Sequence, residues 1–538
     1  MPSSRPPSPS APVPQGPPTR TPGPAPGPGP VRLLEGAVAQ LVPVLPLLDE
    51  LGRRFTGRGH ELSLVGGPVR DAFLGRTSPD LDFATDATPD EILRAVRGWA
   101  DADWDIGRAF GTIGLRKGAR RLEVTTYRSD AYDRTTRRPA VAFGSSLEGD
   151  LARRDFTVNA MAIRLPTLEF VDRHDGLADL ANRRLRTPST PEESFADDPL
   201  RMMRAARFTA QLGFSVVPQV RAAMAERAGT LSMVSAERVR EELTKLLLSP
   251  APRTGLTLLV DTGLTAVFLP ELPALRLEVD EHHRHKDVYE HSLTVLEQAM
   301  ALEGPADGPP ESVPGPDLVL RLAALLHDVG KPATRRFEPG GGVSFHHHEV
   351  VGAKMVARRL REMRYDKDTV KAVARLVELH LRFHGYGDGR WTDSAVRRYV
   401  TDAGPLLERL HRLTRSDCTT RNARRARQLA GTYDELERRI TTLQSEEELA
   451  SVRPELNGHE IAEALGIAPG PLLGRAYQHL LAVRMEEGVI GPDAARQRLL
   501  AWWAGQPESI AAGTAAGIVA GMAAGAAADE RKVDQAPG

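Results

Sequence analysis

Two aspartates one residue apart, Asp80 and Asp82, carry the clearest chemistry in the sequence, within LVGGPVRDAFLGRTSPDLDFAT at residues 64–85. In an extended chain residues two apart share a face, so both carboxylates leave one side while Leu81 and Phe83 pack on the other. Like charges so placed repel unless a cation lies between them, and hard oxygen ligands suit Mg²⁺. Just upstream, Leu62, Leu64 and Val65 read as a strand and Gly66-Gly67 as a sharp turn. Pro68 then opens a short helix through Val69, Ala72, Phe73 and Leu74 that stops at Gly75. The two glycines let a polyphosphate approach backbone N–H groups at a helix start, where the dipole favours anions. A carboxylate pair beside a phosphate cradle suits nucleotidyl transfer. Either half alone would be only a strand end or a turn; their close succession carries the reading.

As G-G-x-V-R-D-x-x-x-G followed by D-x-D, the stretch resembles the signature of the DNA polymerase β-like nucleotidyltransferase superfamily. The branch it resembles is class II, which holds CCA-adding tRNA enzymes and bacterial poly(A) polymerases. The resemblance implies that Asp80 and Asp82 are catalytic carboxylates binding Mg²⁺, and that Gly66, Gly67 and Arg70 belong to the nucleotide site. In RLEVTTYR (121–128), Leu122, Val124 and Thr126 alternate with Glu123 and Thr125, as in a strand buried on one face. If that strand neighbours the D-x-D strand, Glu123 supplies a third carboxylate; otherwise it is an exposed strand glutamate. The likeness of E-V-T-T-x-R to the family favours the first.

Two further stretches extend the site. RRDFTVNAMA (153–162) resembles the family motif that holds the ribose of the incoming nucleotide. Arg154 donates to a 2′-hydroxyl, Asp155 accepts from it, and Asn159 bridges backbone or sugar; an ordinary ion pair at a helix start is the alternative. Further on, FADDPLRMMRAARF (195–208) places Asp198 and Arg201 three apart on one helix face. A carboxylate beside a guanidinium offers acceptor and donors that match the edges of cytosine or adenine; read without context, the pair is a helix cap and its solvated partner. The stretch resembles the class II motif E/D-D-x-x-R, in which the second acid and the arginine act as an amino-acid template for CTP and ATP. Asp197 stands where glutamate is usual. Arg204, on the same helix, joins the implied nucleotide-binding set.

A second constellation lies in the helical part of the chain: His291, His327-Asp328 in LLHDVGKP, His348 in FHHHEVVGA, His380 in ELHLRFH, and Asp417. Imidazoles and carboxylates are natural ligands of borderline divalent ions. The His-Asp pair after an apolar helix resembles the HD phosphohydrolase superfamily. That resemblance implies one metal site of His291, His327, Asp328 and Asp417, with His348 and His380 adding a second metal, the ion being Mn²⁺, Ni²⁺, Co²⁺ or Mg²⁺. An HD fold kept as scaffold with an idle site is the alternative. His346, His347 and His384 are read as bystanders.

The elements that must position these residues divide the 538-residue chain. Residues 1–31 are a Pro-rich tail read as disordered, and 32–186 form the nucleotidyltransferase head. Residues 187–250 are a neck for base recognition, 251–440 a helical body with the HD domain, 441–504 a tRNA-binding helical tail, and 505–538 a low-complexity Ala/Gly tail. The implied fold class is multidomain α+β: a polymerase β-like mixed head, then all-α neck, body and tail. Within the head one helix is expected across 32–52, another across 86–100, and a mobile loop across 129–150. A net charge of −1 makes any RNA surface a local patch, such as RNARRAR at 421–427. One cysteine, Cys418, excludes a disulfide framework and fits a reducing cytoplasm. Gly513, Gly517, Gly521 and Gly525 are spaced by four, but Ala and Gly bury too little apolar area for membrane insertion. The reading is CCA addition to tRNA from CTP and ATP, with an HD phosphohydrolase activity beside it. Its alternatives are a poly(A) polymerase on the same head and an HD-type phosphohydrolase whose head binds RNA. Oligomeric state is not legible.

Overall fold

The computed structural model describes residues 30–129, 142–143, 146–276, 287–339, 342–385, 391–419, 422–447 and 453–507. The Pro-rich tail before residue 30, most of the expected 129–150 loop, Arg421, the His384 side chain and residues 508–538 lie outside them. The chain divides into two compact units, residues 1–227 and 228–538.

The first unit is built on a seven-stranded mixed sheet. Its strands are β1 (Leu62–Val65), β2 (Asp80–Thr85), β3 (Ala102–Gly107), β4 (Thr112–Lys117), β5 (Arg120–Thr126), β6 (Met161–Leu165) and β7 (Phe170–Asp172). They lie in the order β3-β4-β5-β2-β1-β6-β7. β2 and β5 pair in parallel, so a crossover carrying a helix and the β3–β4 hairpin must separate them in sequence. Leu122, Val124 and Thr126 of β5 are buried while Glu123 is exposed, so the expected alternation holds. The face opposite Glu123 and Asp82 packs against helices, with Leu81, Phe83, Leu122 and Val124 in the core.

The helix expected across 32–52 forms as two, Pro30–Leu41 and Leu45–Thr56, joined by a single 3₁₀ turn at Val42–Val44. Pro43 and Pro46 are the cause: proline lacks the N–H that a continuous helix needs and is tolerated in a first turn. The helix expected at 86–100 spans only Pro89–Val96. It is capped at Thr88, whose N–H donates to the Glu91 carboxylate at 2.8 Å. The chain beyond it reaches β3, an edge strand not anticipated from sequence. Inside the expected loop, Leu147–Ala152 is a helix, its first turn closed by Gly149 N–H donating to Ser146 Oγ at 3.2 Å.

The second unit is helical. Helices Val288–Ala301, Leu318–Leu326, His348–Glu362, Lys367–Leu379 and Leu407–Asp417 surround the histidines and aspartates of the HD constellation. Helix Ala236–Leu247 is capped by Ser235, with Val239, Leu243, Leu246 and Leu247 buried. Helices Gly458–Leu465, Pro471–Glu487 and Pro492–Ala504 pack their own small core around Ile461, Leu480 and Leu499. Among the described residues no helix is long and apolar enough to cross a membrane.

Candidate functional site

β1 ends at Val65 and the chain turns at Gly66, whose φ of 73° is costly for any residue with a side chain. A Cβ there would also lie 2.8 Å from the Arg154 guanidinium, so glycine both makes the turn and admits the arginine. Helix Gly67–Phe73 follows, with Pro68 in its first turn. It carries Arg70, whose Nη1 donates to Asn159 Oδ1 at 2.7 Å. Asn159 Nδ2 donates in turn to Asp155 Oδ1 at 2.9 Å, which also accepts from the Phe156 N–H at 2.8 Å. Arg204 Nε donates to the other Asp155 oxygen at 2.7 Å. Burial pushes the Asp155 carboxyl up, but Arg204, Asn159 and the Phe156 amide outweigh it and hold it at about 2.

These residues close around a cavity of about 260 Å³ lined by Gly66, Gly67, Asp82 and Asn159 with four arginines, Arg70, Arg154, Arg204 and Arg207. Its apolar wall is Phe208, with the Arg70, Arg204 and Arg207 guanidinium carbons 5.2, 5.5 and 4.2 Å from the ring centre. So many cations about one small space suit a polyanion. Neither Arg207 nor Phe208 is among the site residues expected from sequence. Their spacing of three and four from Arg204 on one helix was the available signal.

Asp82 and Glu123 are direct partners across β2 and β5, and Asp80 lies two residues along β2. Burial, then the Glu123 charge, with Asp80 adding to it, pushes the Asp82 carboxyl up to about 6 against the pull of Arg154 and Arg70. Three carboxylates under such mutual repulsion fit divalent cations, which would relieve it. Asp198 and Arg201 stand elsewhere. Asp198 Oδ1 accepts from Leu200 N–H at 3.1 Å. Arg201 donates to Ser194 Oγ at 2.9 Å and to the Arg153 carbonyl at 2.6 Å. Neither lines the arginine cavity.

In the second unit all six expected ligands converge. The ligand atoms of His291, His327 and Asp417 lie within 4.8 Å of one another, as do those of Asp328, His348 and His380. His291 Nε2 is 2.9 Å from Asp417, while His327 Nε2 and His348 Nε2 are each 3.2 Å from Asp328. Local folding sets the imidazoles. His327, His348 and His380 each place Nδ1 against the carbonyl three residues back, that of Ala324, Phe345 and Val377, at 2.9, 2.8 and 2.6 Å. Each is thereby held with Nε2 aimed inward. Nε2 of His380 is buried without a hydrogen-bond partner, a cost that a metal would remove. Burial, then the neighbouring His327, pushes His380 down to about 3, which keeps it in the neutral form that binds metal. The residues therefore fit a two-metal centre. His346 and His347 are exposed beside it.

The comparisons with known proteins agree with this geometry. Residues 62–186 match the model of the poly A polymerase head domain, 213–275 that of the probable RNA and SrmB-binding site of polymerase A, and 288–422 that of the HD domain. The CC-adding tRNA nucleotidyltransferase of Thermus thermophilus is 34% identical over 463 residues, 84% of this chain and 95% of that protein. The A-adding tRNA nucleotidyltransferase of Deinococcus radiodurans is 34% identical over 453 residues, 83% of this chain and 96% of that protein. In fold, the chain resembles the Bacillus stearothermophilus CCA-adding enzyme solved with CTP, with a TM-score of 0.58 at 23% identity over 86% of this chain and 97% of that one. Head and HD domains of these kinds use divalent metal ions. With likeness running nearly the whole length of two such relatives, this chain belongs to the tRNA nucleotidyltransferase family.

Proposed function

We propose that the chain adds CMP and AMP to the 3′ end of tRNA from CTP and ATP, completing the CCA terminus and releasing pyrophosphate. The arrangement that carries the reading is the arginine-lined cavity opening onto Asp82, with Glu123 beside it on the next strand. Arg70, Arg154, Arg204 and Arg207 hold the triphosphate, while Asp155 and Asn159 take the ribose. Asp80, Asp82 and Glu123 would hold Mg²⁺, which lowers the pKa of the primer hydroxyl and neutralises the departing pyrophosphate. In the reaction the 3′-oxygen bonds to the α-phosphorus, the bond to the pyrophosphate oxygen breaks, and the hydroxyl proton leaves to solvent. The Asp155 carboxylate, held ionised by Arg204, fixes Arg204 and Asn159 in the cavity wall.

A narrower reading is favoured by one observation: the two full-length relatives are separately CC-adding and A-adding. The test is to incubate tRNA ending before CCA, and tRNA ending in CC, with CTP, ATP or both, and to sequence the products. CCA on the first substrate supports the full reaction. CC alone, or A only on the second, supports the partial one, and a long A tract would move the assignment to poly(A) synthesis. For the second unit we propose metal-dependent phosphoester hydrolysis by the six-ligand centre, with Mn²⁺, Ni²⁺, Co²⁺ or Mg²⁺. The cytoplasm, where a lone cysteine stays reduced, is the compartment we assign.

A further inference from the structure

The carboxylates stand where three cavities meet. Asp82 lines the arginine cavity, Asp82 and Glu123 together line a second, and Glu123 lines a third of about 380 Å³. The third shares no lining residue with the arginine cavity. Its walls are Trp104, Phe110, Thr112, Gly114 and Arg121, besides Gly107 and Glu123.

This cavity lies on the same sheet face as the carboxylates, on the far side of Glu123 from Asp82. The register pairs Asp82 with Glu123, Glu123 with Gly114, and Gly114 with Trp104, one row across β2, β5, β4 and β3. Gly114 leaves a gap in that row which the Trp104 indole fills: a Cβ on Gly114 would lie 2.0 Å from the indole nitrogen. Arg121, two residues before Glu123 and on its face, sets its guanidinium carbon 5.4 Å from the indole centre. Phe110, at the turn before β4, is 55% exposed, an aromatic that the core does not use.

Phosphoryl transfer needs attacking and leaving oxygens roughly in line across the transferred phosphorus. With the triphosphate among the arginines on the β1 side of Asp82, the attacking hydroxyl must arrive from the β5 side. An unpaired RNA end is gripped by aromatic faces on its bases and by cations on its phosphates. We propose that Trp104, Phe110 and Arg121 form the site for the terminal nucleotide of the RNA being extended. Its base stacks on the aromatic side chains, Arg121 meets its phosphate, and its 3′-hydroxyl is delivered to Glu123. The proposal rests on the assignment of the arginine cavity to the incoming nucleotide.

The test uses the full-length chain and a tRNA transcript lacking CCA, with rates measured against RNA at saturating nucleotide and against nucleotide at saturating RNA. Trp104→Ala and Phe110→Ala are expected to raise the KM for RNA roughly tenfold or more, leave the KM for nucleotide within about twofold, and Trp104→Phe to restore most of the loss. Phe110, being exposed, keeps the test valid if Trp104→Ala fails to fold. An unchanged KM for RNA in folded Phe110→Ala and Trp104→Ala overturns the proposal. A rise confined to the KM for nucleotide overturns it too, by giving the groove to the incoming base. Wild-type protein that extends no RNA sinks the underlying nucleotide-site assignment instead, a result separate from either.

Discussion

Asp82 on β2 and Glu123 on β5 face each other directly across two parallel strands, and the Glu123 charge adds to burial in raising the cost of ionising Asp82. A sheet built for stability alone would not set like charges opposite one another. Asp82→Ala is therefore expected to abolish nucleotide addition, by at least about a thousandfold, because removing a ligand displaces the metal. The fold should survive, since the substitution also relieves repulsion. Product gels at saturating Mg²⁺ with a parallel thermal melt check both halves. Near-normal addition by the variant would remove Asp82 from the catalytic set.

Arg204 is expected to matter for stability in a pH-dependent way. The Asp155 pKa is lowered on folding to about 2, so its contribution is fully present above the unfolded value near 4 and is lost as pH falls toward 2. A shift of that size corresponds to roughly 2 kcal/mol. Arg204→Ala should lower stability at pH 7 by an amount of that order and weaken nucleotide binding. The gap from wild type should then narrow as pH falls from about 4 toward 2. Urea denaturation across that range measures it; a gap independent of pH would mean that the guanidinium acts through packing.

Arg201 ties the Arg153 carbonyl and Ser194 to its helix, next to the arginine that enters the nucleotide cavity. With Asp198 it forms the pair that the class II resemblance makes a template for the base. Arg201→Ala or Asp198→Ala should raise UTP and GTP misincorporation relative to CTP by about tenfold or more, the discrimination expected of one good side-chain–base pairing. Unchanged selectivity in both variants would leave the two residues as a cap and a tether.

The two chemistries should separate. His327→Ala with Asp328→Ala is expected to remove Mn²⁺-, Ni²⁺-, Co²⁺- or Mg²⁺-dependent hydrolysis of a 2′,3′-cyclic phosphate or phosphomonoester while leaving CCA addition largely intact. Chelation should lower the melting temperature of wild-type protein, because His380 would then keep a buried nitrogen without a partner. The double variant should no longer respond to chelator through this centre. A folded double variant that still hydrolyses would place the activity elsewhere, and wild-type protein inert with all four ions would make this unit a scaffold.

The sequence by itself determined what was local. Gly66-Gly67, the alternation around Asp80 and Asp82, and the one-face pattern of 121–128 each depend on neighbours a few residues away, and each formed as read. The order of the six HD ligands was legible from residue types and the HD resemblance, and His327, His348 and His380 each stand at a helix end. Tertiary structure decided the rest. Whether Glu123 joins the aspartates depended on which strand lies beside β2, a matter of topology that alternation cannot express. Arg207 and Phe208 became cavity walls because their helix packs toward Asp155, and nothing in its own periodicity names that neighbour. The edge strand β3 has an irregular register against β4, so its pattern is weak, and only pairing with β4 makes it a strand. Trp104 illustrates the division: the sequence supplies a tryptophan and a glycine ten residues on, and only the register lays one over the other beside Glu123.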